Sequence, residues 1–185
     1  VTSARSDPST RLSDHERALG FLSRAGVFLT AAERSAIEVA DFGLDRFREI
    51  GLQLFVYVNT DRCCAKELVI LPGQICPEHR HPAVGSVLGK EETFRIRLGS
   101  VLLYREGEPT QDPAAVIPDD LRRYFTVWHE CRLERGDQIT IPPDTLHWFQ
   151  GGPDGAVVTE FSTRSTDESD VFTDPRVVRV SQPDR

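Results

Sequence analysis

The sequence predicts an all-β fold, a sandwich or barrel of short strands that follows a helical N-terminal arm. Two observations carry this. From Gly51 onward the apolar residues fall in short, β-rich runs, and Pro and Gly clusters divide those runs at regular intervals. Before Gly51 the pattern is helical, with two capping signatures ahead of apolar stretches.

In chain order, Ser13-Asp-His-Glu16 is a capping box ahead of Ala18, Leu19, Phe21 and Leu22. Thr30-Ala-Ala-Glu33 repeats it before Ile37 and Val39, and Gly43 is placed to stop that second helix. Val1–Thr10 is expected to be mobile. Strands are expected at Leu52–Val58, Glu67–Leu71, Thr93–Leu98, Val101–Tyr104, Phe125–Leu133, Gln138–Ile141 and Ala156–Ser162. Pro72-Gly73, Gly107, Gly136, Pro142-Pro143 and Gly151-Gly152 separate them. Gln111–Asp120 reads as a long loop. Thr163–Arg185 is polar but contains Val177-Val178, which suits an arm packed on the barrel or on a second subunit. The organisation is thus a helical arm (1–50), a β-barrel (51–163) and a C-terminal arm (164–185).

Composition narrows the function. With 28% charged and 39% hydrophobic residues, the 185-residue chain has the balance of a folded domain and not of a disordered one. A net charge of -7 argues against nucleic acid and fits a small uncharged substrate. No apolar run approaches a membrane span, and Val1–Thr10 lacks the layout of a signal peptide, so no membrane partner and a cytoplasmic location are expected. Cys63, Cys64, Cys76 and Cys131 form no CxxC and read as small buried hydrophobes. Arginine outnumbers lysine about tenfold, and only Lys66 and Lys90 are present. A lysine kept in such a chain points to a property arginine lacks, a pKa that burial can lower.

The chemistry concentrates on histidines. His79 and His81 are two apart, so on a strand both leave the same face, and Pro77 and Pro82 exclude helix around them. Gly73-(x5)-His79-x-His81 is followed by Glu92-(x6)-Gly99, and Gly136-(x5)-Pro142-x-Asp144-(x2)-His147 comes later. These two stretches resemble the paired motifs of the cupins, jelly-roll β-barrels that hold a metal with His79, His81, Glu92 and His147 as the matching positions. Asp144 stands where the pattern usually has Gly, and the step from His81 to Glu92 is longer than usual. Glu92 is preferred to Glu91 because only it lies seven residues before Gly99, on a face with Phe94 and Ile96. Three imidazoles and a carboxylate suit manganese, iron, cobalt, nickel or zinc.

The resemblance extends further. Leu71–Pro82, Gly89–Arg95, Tyr124–Glu130, Asp144–Gln150, Gly155–Ser162 and Val171–Pro175 are similar to the D-lyxose isomerase family, over about Gly51–Pro175. That resemblance implies a manganese-dependent aldose–ketose isomerase, a homodimer, acting on D-lyxose/D-xylulose and also on D-mannose/D-fructose. Such a reaction moves a proton between C1 and C2 through an enediol, which needs a Lewis acid on the oxygens and an acid/base group beside the carbons. Glu160 is the leading base, on an inward face with Val158 and Ser162, where desolvation should raise its pKa. Lys90, two residues before Glu92, is the second catalytic candidate, as a donor to the sugar oxygens or a proton shuttle. Phe149 shares His147's face and is expected to wall the sugar site, while Trp148 faces away. His129 reads as a satisfied core histidine and His15 as exposed and without chemistry. The rival readings are an iron cupin dioxygenase, separable by oxygen uptake, and a non-catalytic sugar-binding cupin, which would need neither Glu160 nor Lys90.

Overall fold

The structure, a computed structural model, describes residues 8–179. Of the segment expected to be mobile, Val1–Asp7 lies outside the described residues, as does the end of the C-terminal arm from residue 180. Two helices, α1 (Pro8–Arg24) and α2 (Ala31–Ser35), precede nine strands. These are β1 (Glu38–Ala40), β2 (Leu52–Asn59), β3 (Cys64–Ile70), β4 (Ile75–Arg80), β5 (Glu92–Arg105), β6 (His129–Glu134), β7 (Gln138–Ile141), β8 (His147–Ser162) and β9 (Val171–Phe172).

Two long antiparallel strands organise everything else. β5 and β8 pair from Glu92↔Ser162 to Arg105↔His147. Along one half, β8 carries β3, β2 and β1 on its other side while β5 carries β7. Along the other half, β8 carries β4 and β9 while β5 carries β6. The ribbon folds over between the halves. A straight strand would place Glu92 about 43 Å from Arg105, the partner of His147. Yet Glu92 Oε1 and His147 Nε2 are 2.9 Å apart. Gly99 sits at this fold with φ +69, and a Cβ there would lie 1.9 Å from the Gly155 carbonyl oxygen, so only glycine fits. The product is the curled, two-layered sheet expected of a cupin, with N-terminal helices outside it.

The core lies between the layers. Leu52, Leu54, Leu68, Phe94, Ile96 and Val158 of one layer meet Ile75, Val101, Leu103 and Phe149 of the other. Phe94 and Phe149 touch edge to face across the gap at 5.4 Å. Outside the first layer, Phe21 and Leu22 of α1 cover Val69, Leu71 and Val157. Each such side chain removed from water contributes about 1.5–3 kcal/mol, which holds the helix to the sheet. No helix among the described residues is long and apolar enough to cross a membrane.

The helical arm departs from expectation twice. α1 begins at Pro8, ahead of the Ser13 signature, with proline at the first helical position, where its missing N–H costs nothing. The Thr30/Glu33 capping box forms as expected, but α2 stops at Ser35. Val39 then pairs with Gln53, because an edge of the sheet offers this β-branched stretch a ladder and burial that a helix would not. The Phe125–Leu133 strand is shorter, starting at His129, and β4 and β9 form where no strand run was marked. Cys64 and Cys76 are buried as expected, but Cys63 is exposed, at the turn before β3.

Candidate metal centre and catalytic cavity

Residues 170–179, which begin with β9 on the edge of β4, line one side of a small cavity of about 40 Å³ between the two layers through Asp170, Phe172 and Arg179. His79, His81, Glu92 and His147 converge there, all buried, with one ligand atom from each lying within 4.8 Å of the others. Each arrives by a local device. Pro77 cannot donate to the ladder, and the β4–β8 pairing slips between Cys76 and His79, bringing His79 opposite His147. His81 follows the end of β4, where its carbonyl accepts from Asp144 N at 3.1 Å. Asp144 has φ +58, which explains why the motif usually places glycine there, and Arg80 faces its carboxylate at 3.5 Å. Gly89 passes so close to the His81 carbonyl that a Cβ would lie 1.8 Å from it, and this seats Lys90 at the cavity wall.

The imidazoles are fixed from behind. His79 Nδ1 bonds the Pro77 carbonyl at 2.8 Å and His147 Nδ1 the Thr145 carbonyl at 2.8 Å, so both Nε2 atoms carry lone pairs toward the centre. His81 Nδ1 bonds Asp170 Oδ1 at 2.5 Å. His147 Nε2 is buried and lies 2.9 Å from Glu92 Oε1, yet it makes no hydrogen bond. Two acceptors at that separation, without a proton aligned between them, point at a common third partner. Metal–ligand bonds of about 2.1 Å put neighbouring ligands about 3 Å apart, so the residues present fit a divalent ion.

The electrostatics agree. Burial and the adjacent His147 and His81 rings hold His79 well below the usual histidine range, which keeps it neutral, as a ligand must be. Burial opposes charge on His81, but Glu92 and Asp170 outweigh it and push the imidazole up to about 9, so the ring holds a proton between the two carboxylates that an arriving ion has to displace. Burial likewise opposes the charge on Glu92, yet Lys90 and His81 hold its carboxyl well below the usual carboxylate range. The centre therefore has a strong preference for positive charge.

Beside it lie the residues expected to handle the proton. Glu160 is buried on the inward face of β8, and Lys90 Nζ donates to Glu160 Oε1 at 3.2 Å while pairing with Glu92 Oε2 at 2.7 Å. The reading of lysine as a group with a burial-lowered pKa is reversed. Burial does act that way, but Glu160 and Glu92 outweigh it and raise Lys90 well above the ordinary lysine value, so it is a fixed cation. Lys66, opposite Glu160 in the β3–β8 register, also lines the cavity and is also raised, by Glu160 and Asp167 against burial. Phe149 lines the cavity, with Phe172 on another wall. Trp148 faces away and stacks on Tyr104 at 4.1 Å. His129 is neither in the cavity nor in the core; it is half-buried at the start of β6 and bonded to the Glu108 carbonyl at 3.0 Å. His15 is partly buried and bonded to the Arg34 carbonyl at 2.7 Å.

The sequence reading missed Lys66, Asp167, Asp170 and Arg179, all of which line the cavity. Lys66 had a signal, since it shares strand parity with Leu68 and Ile70 and so had to point inward with them.

A family profile described as D-lyxose isomerase matches residues 31–183. The chain is 57% identical over 167 residues to a D-lyxose ketol-isomerase of Thermofilum sp. (strain ex4484_79), covering 90% of this chain and 93% of that one. It is 56% identical over 167 residues to a D-lyxose/D-mannose isomerase of Thermosediminibacter oceani, covering 90% and 92%. Among solved structures, an L-ribose isomerase of Cellulomonas parahominis superposes with a TM-score of 0.80 at 17% identity, over 95% of this chain and 96% of that one, a likeness of fold.

Proposed function

The chain belongs to the D-lyxose isomerase family, and on that premise we propose a metal-dependent aldose–ketose isomerase that interconverts D-lyxose with D-xylulose and D-mannose with D-fructose, using manganese. The observation that carries this reading is the placement of a buried carboxylate, Glu160, and a buried cation, Lys90, in the same cavity as the His79, His81, Glu92 and His147 cluster. A sugar-binding protein would have no use for a buried acid/base group beside such a cluster.

When bound, the ion supplies Lewis-acid polarisation of two adjacent sugar oxygens. Glu160 takes the proton from C2 of the open-chain aldose and returns it to C1, while the hydroxyl proton passes from O2 to O1, so aldose and ketose are related through an enediol with nothing gained or lost. Lys90 stays charged throughout. It holds Glu160 toward the centre and donates to sugar oxygens as negative charge develops on them. Phe149 and Phe172 provide apolar walls that keep bulk water from the exchanging proton.

Stripping the full chain with chelator, restoring manganese, and following D-lyxose and D-mannose in parallel tests the reading. Manganese-restored formation of either ketose is the expected result, and the ratio of the two rates orders the substrates. Tight metal binding without turnover of either sugar would overturn the isomerase assignment.

A further inference from the structure

The three cluster imidazoles are not held alike. His79 and His147 are oriented by carbonyls of the residues two before them in the chain, Pro77 and Thr145. His81 is oriented by Asp170, which lies 89 residues further along the chain, at 2.5 Å. Asp170 opens the segment that closes the cavity. Two residues on, Phe172 stacks against the His79 ring at 5.4 Å, with the planes 29° apart. Thr173 donates its N–H to the Glu78 carbonyl at 3.0 Å and its hydroxyl to Glu78 Oε1 at 2.6 Å. Val178 N–H reaches the Phe42 carbonyl at 2.9 Å, and Arg179 pairs with Glu38 and Asp167. Two of the four converging side chains therefore lean on a segment held at the edge of the sheet by the short β9–β4 pairing, His79↔Phe172 and Arg80↔Val171, and by the contacts just named.

We propose that Asp170 is a positioning residue that couples ion binding to docking of residues 170–179. Its carboxylate fixes the His81 ring with Nε2 toward the centre, and its negative charge makes that nitrogen a stronger donor to a cation. An ion that pulls His81 and His79 into place presents Asp170 and Phe172 with their partners. A docked segment, in turn, presents two ligands already oriented. The linkage runs in both directions, so each event strengthens the other. The inference rests on the metal-centre reading above.

The test uses the full chain and manganese alone. Manganese affinity is measured by competition with a chelating dye, and amide hydrogen exchange of residues 171–178 is followed with and without the ion. In the wild type the ion is expected to slow exchange across 171–178. Asp170→Ala should bind manganese about 10–100-fold more weakly and lose the exchange response. Asp170→Asn, which keeps an oxygen acceptor for His81, should recover a large part of both. Unchanged exchange in the wild type on adding manganese overturns the coupling without recourse to any variant. Wild-type affinity in Asp170→Ala overturns the positioning role while leaving the metal centre standing. A wild type that binds no divalent ion overturns both this inference and the reading on which it rests.

Discussion

Lys90 and Glu92, two residues apart where the chain enters β5, form a 2.7 Å ion pair that is almost wholly removed from water. The same ammonium reaches Glu160 at 3.2 Å. One cation thus balances a ligand carboxylate and the proposed base. Lys90→Met would take from Glu92 its 2.7 Å cation partner and leave Glu160 with Lys66 as its remaining lysine neighbour. Removing one member of such a buried set costs about 3–5 kcal/mol. Urea unfolding of the metal-free variant is expected to show that loss, with partial recovery when manganese neutralises Glu92. An unfolding midpoint equal to the wild type would show that Lys90 carries no such load.

Glu160→Gln preserves the shape of the side chain and an oxygen for Lys90 to donate to, but cannot accept the C2 proton. Metal content and circular dichroism should stay at wild-type values while kcat falls about 10²–10⁴-fold. Full activity in this variant would assign the base elsewhere in the cavity.

Asp144 occupies a left-handed backbone position that ordinary residues avoid at a cost of about 1–2 kcal/mol. Its short polar side chain and the Arg80 contact ease it there. Asp144→Ala should lower the melting temperature, whereas Asp144→Gly, free of the steric penalty, should melt close to the wild type. Equal losses in both variants would mean that the carboxylate, and not the backbone conformation, matters at this position.

Asp167 sits between Lys66 at 3.1 Å and Arg179 at 3.1 Å. Burial works against its charge, but Lys66, Lys90 and Arg179 hold its carboxyl far below the usual aspartate range. A carboxyl depressed in the folded state contributes stability that is complete above the unfolded value, about 3.9, and is lost as pH falls toward the folded value. The stability gap between wild type and Asp167→Asn should therefore be level from pH 7 down to about 4, then shrink by roughly 1.4 kcal/mol per pH unit below that. Urea titrations at pH 7, 4.5 and 2.5 provide the comparison. A gap that stays level to pH 2.5 would assign the effect of the substitution to packing.

The cluster was legible because its members lie beside glycines and prolines whose spacing reflects backbone needs. Gly99 marks the fold of the ribbon, and its distance from Glu92 selects that residue over Glu91. The all-β class was legible for the same reason, since Pro and Gly mark the turns between strands. What escaped were features decided by distant partners. Val39 follows a capped helical turn but becomes strand because β2 lies alongside. Lys66 is a charged residue on a strand, a pattern that ordinarily marks the solvent face, and its inward position depends on Glu160 and Asp167 arriving to neutralise it. Asp167, Asp170 and Arg179 belong to a polar tail with no periodicity, so nothing local says that it turns back over the barrel. The direction of the lysine shift was misjudged because burial was visible in the pattern while the two carboxylates flanking Lys90 were not.

The fold at Gly99 gives the two layers unequal shares of the ligand set. Glu92 stands on the first half of β5, while His79, His81 and His147 come from the other layer. An ion held this way is a clasp between layers. Its loss parts Glu92 from the three imidazoles and removes a tie between the sheets, whatever route the ion takes out past residues 170–179. The metal-free protein should then unfold at a lower temperature than the manganese-bound one.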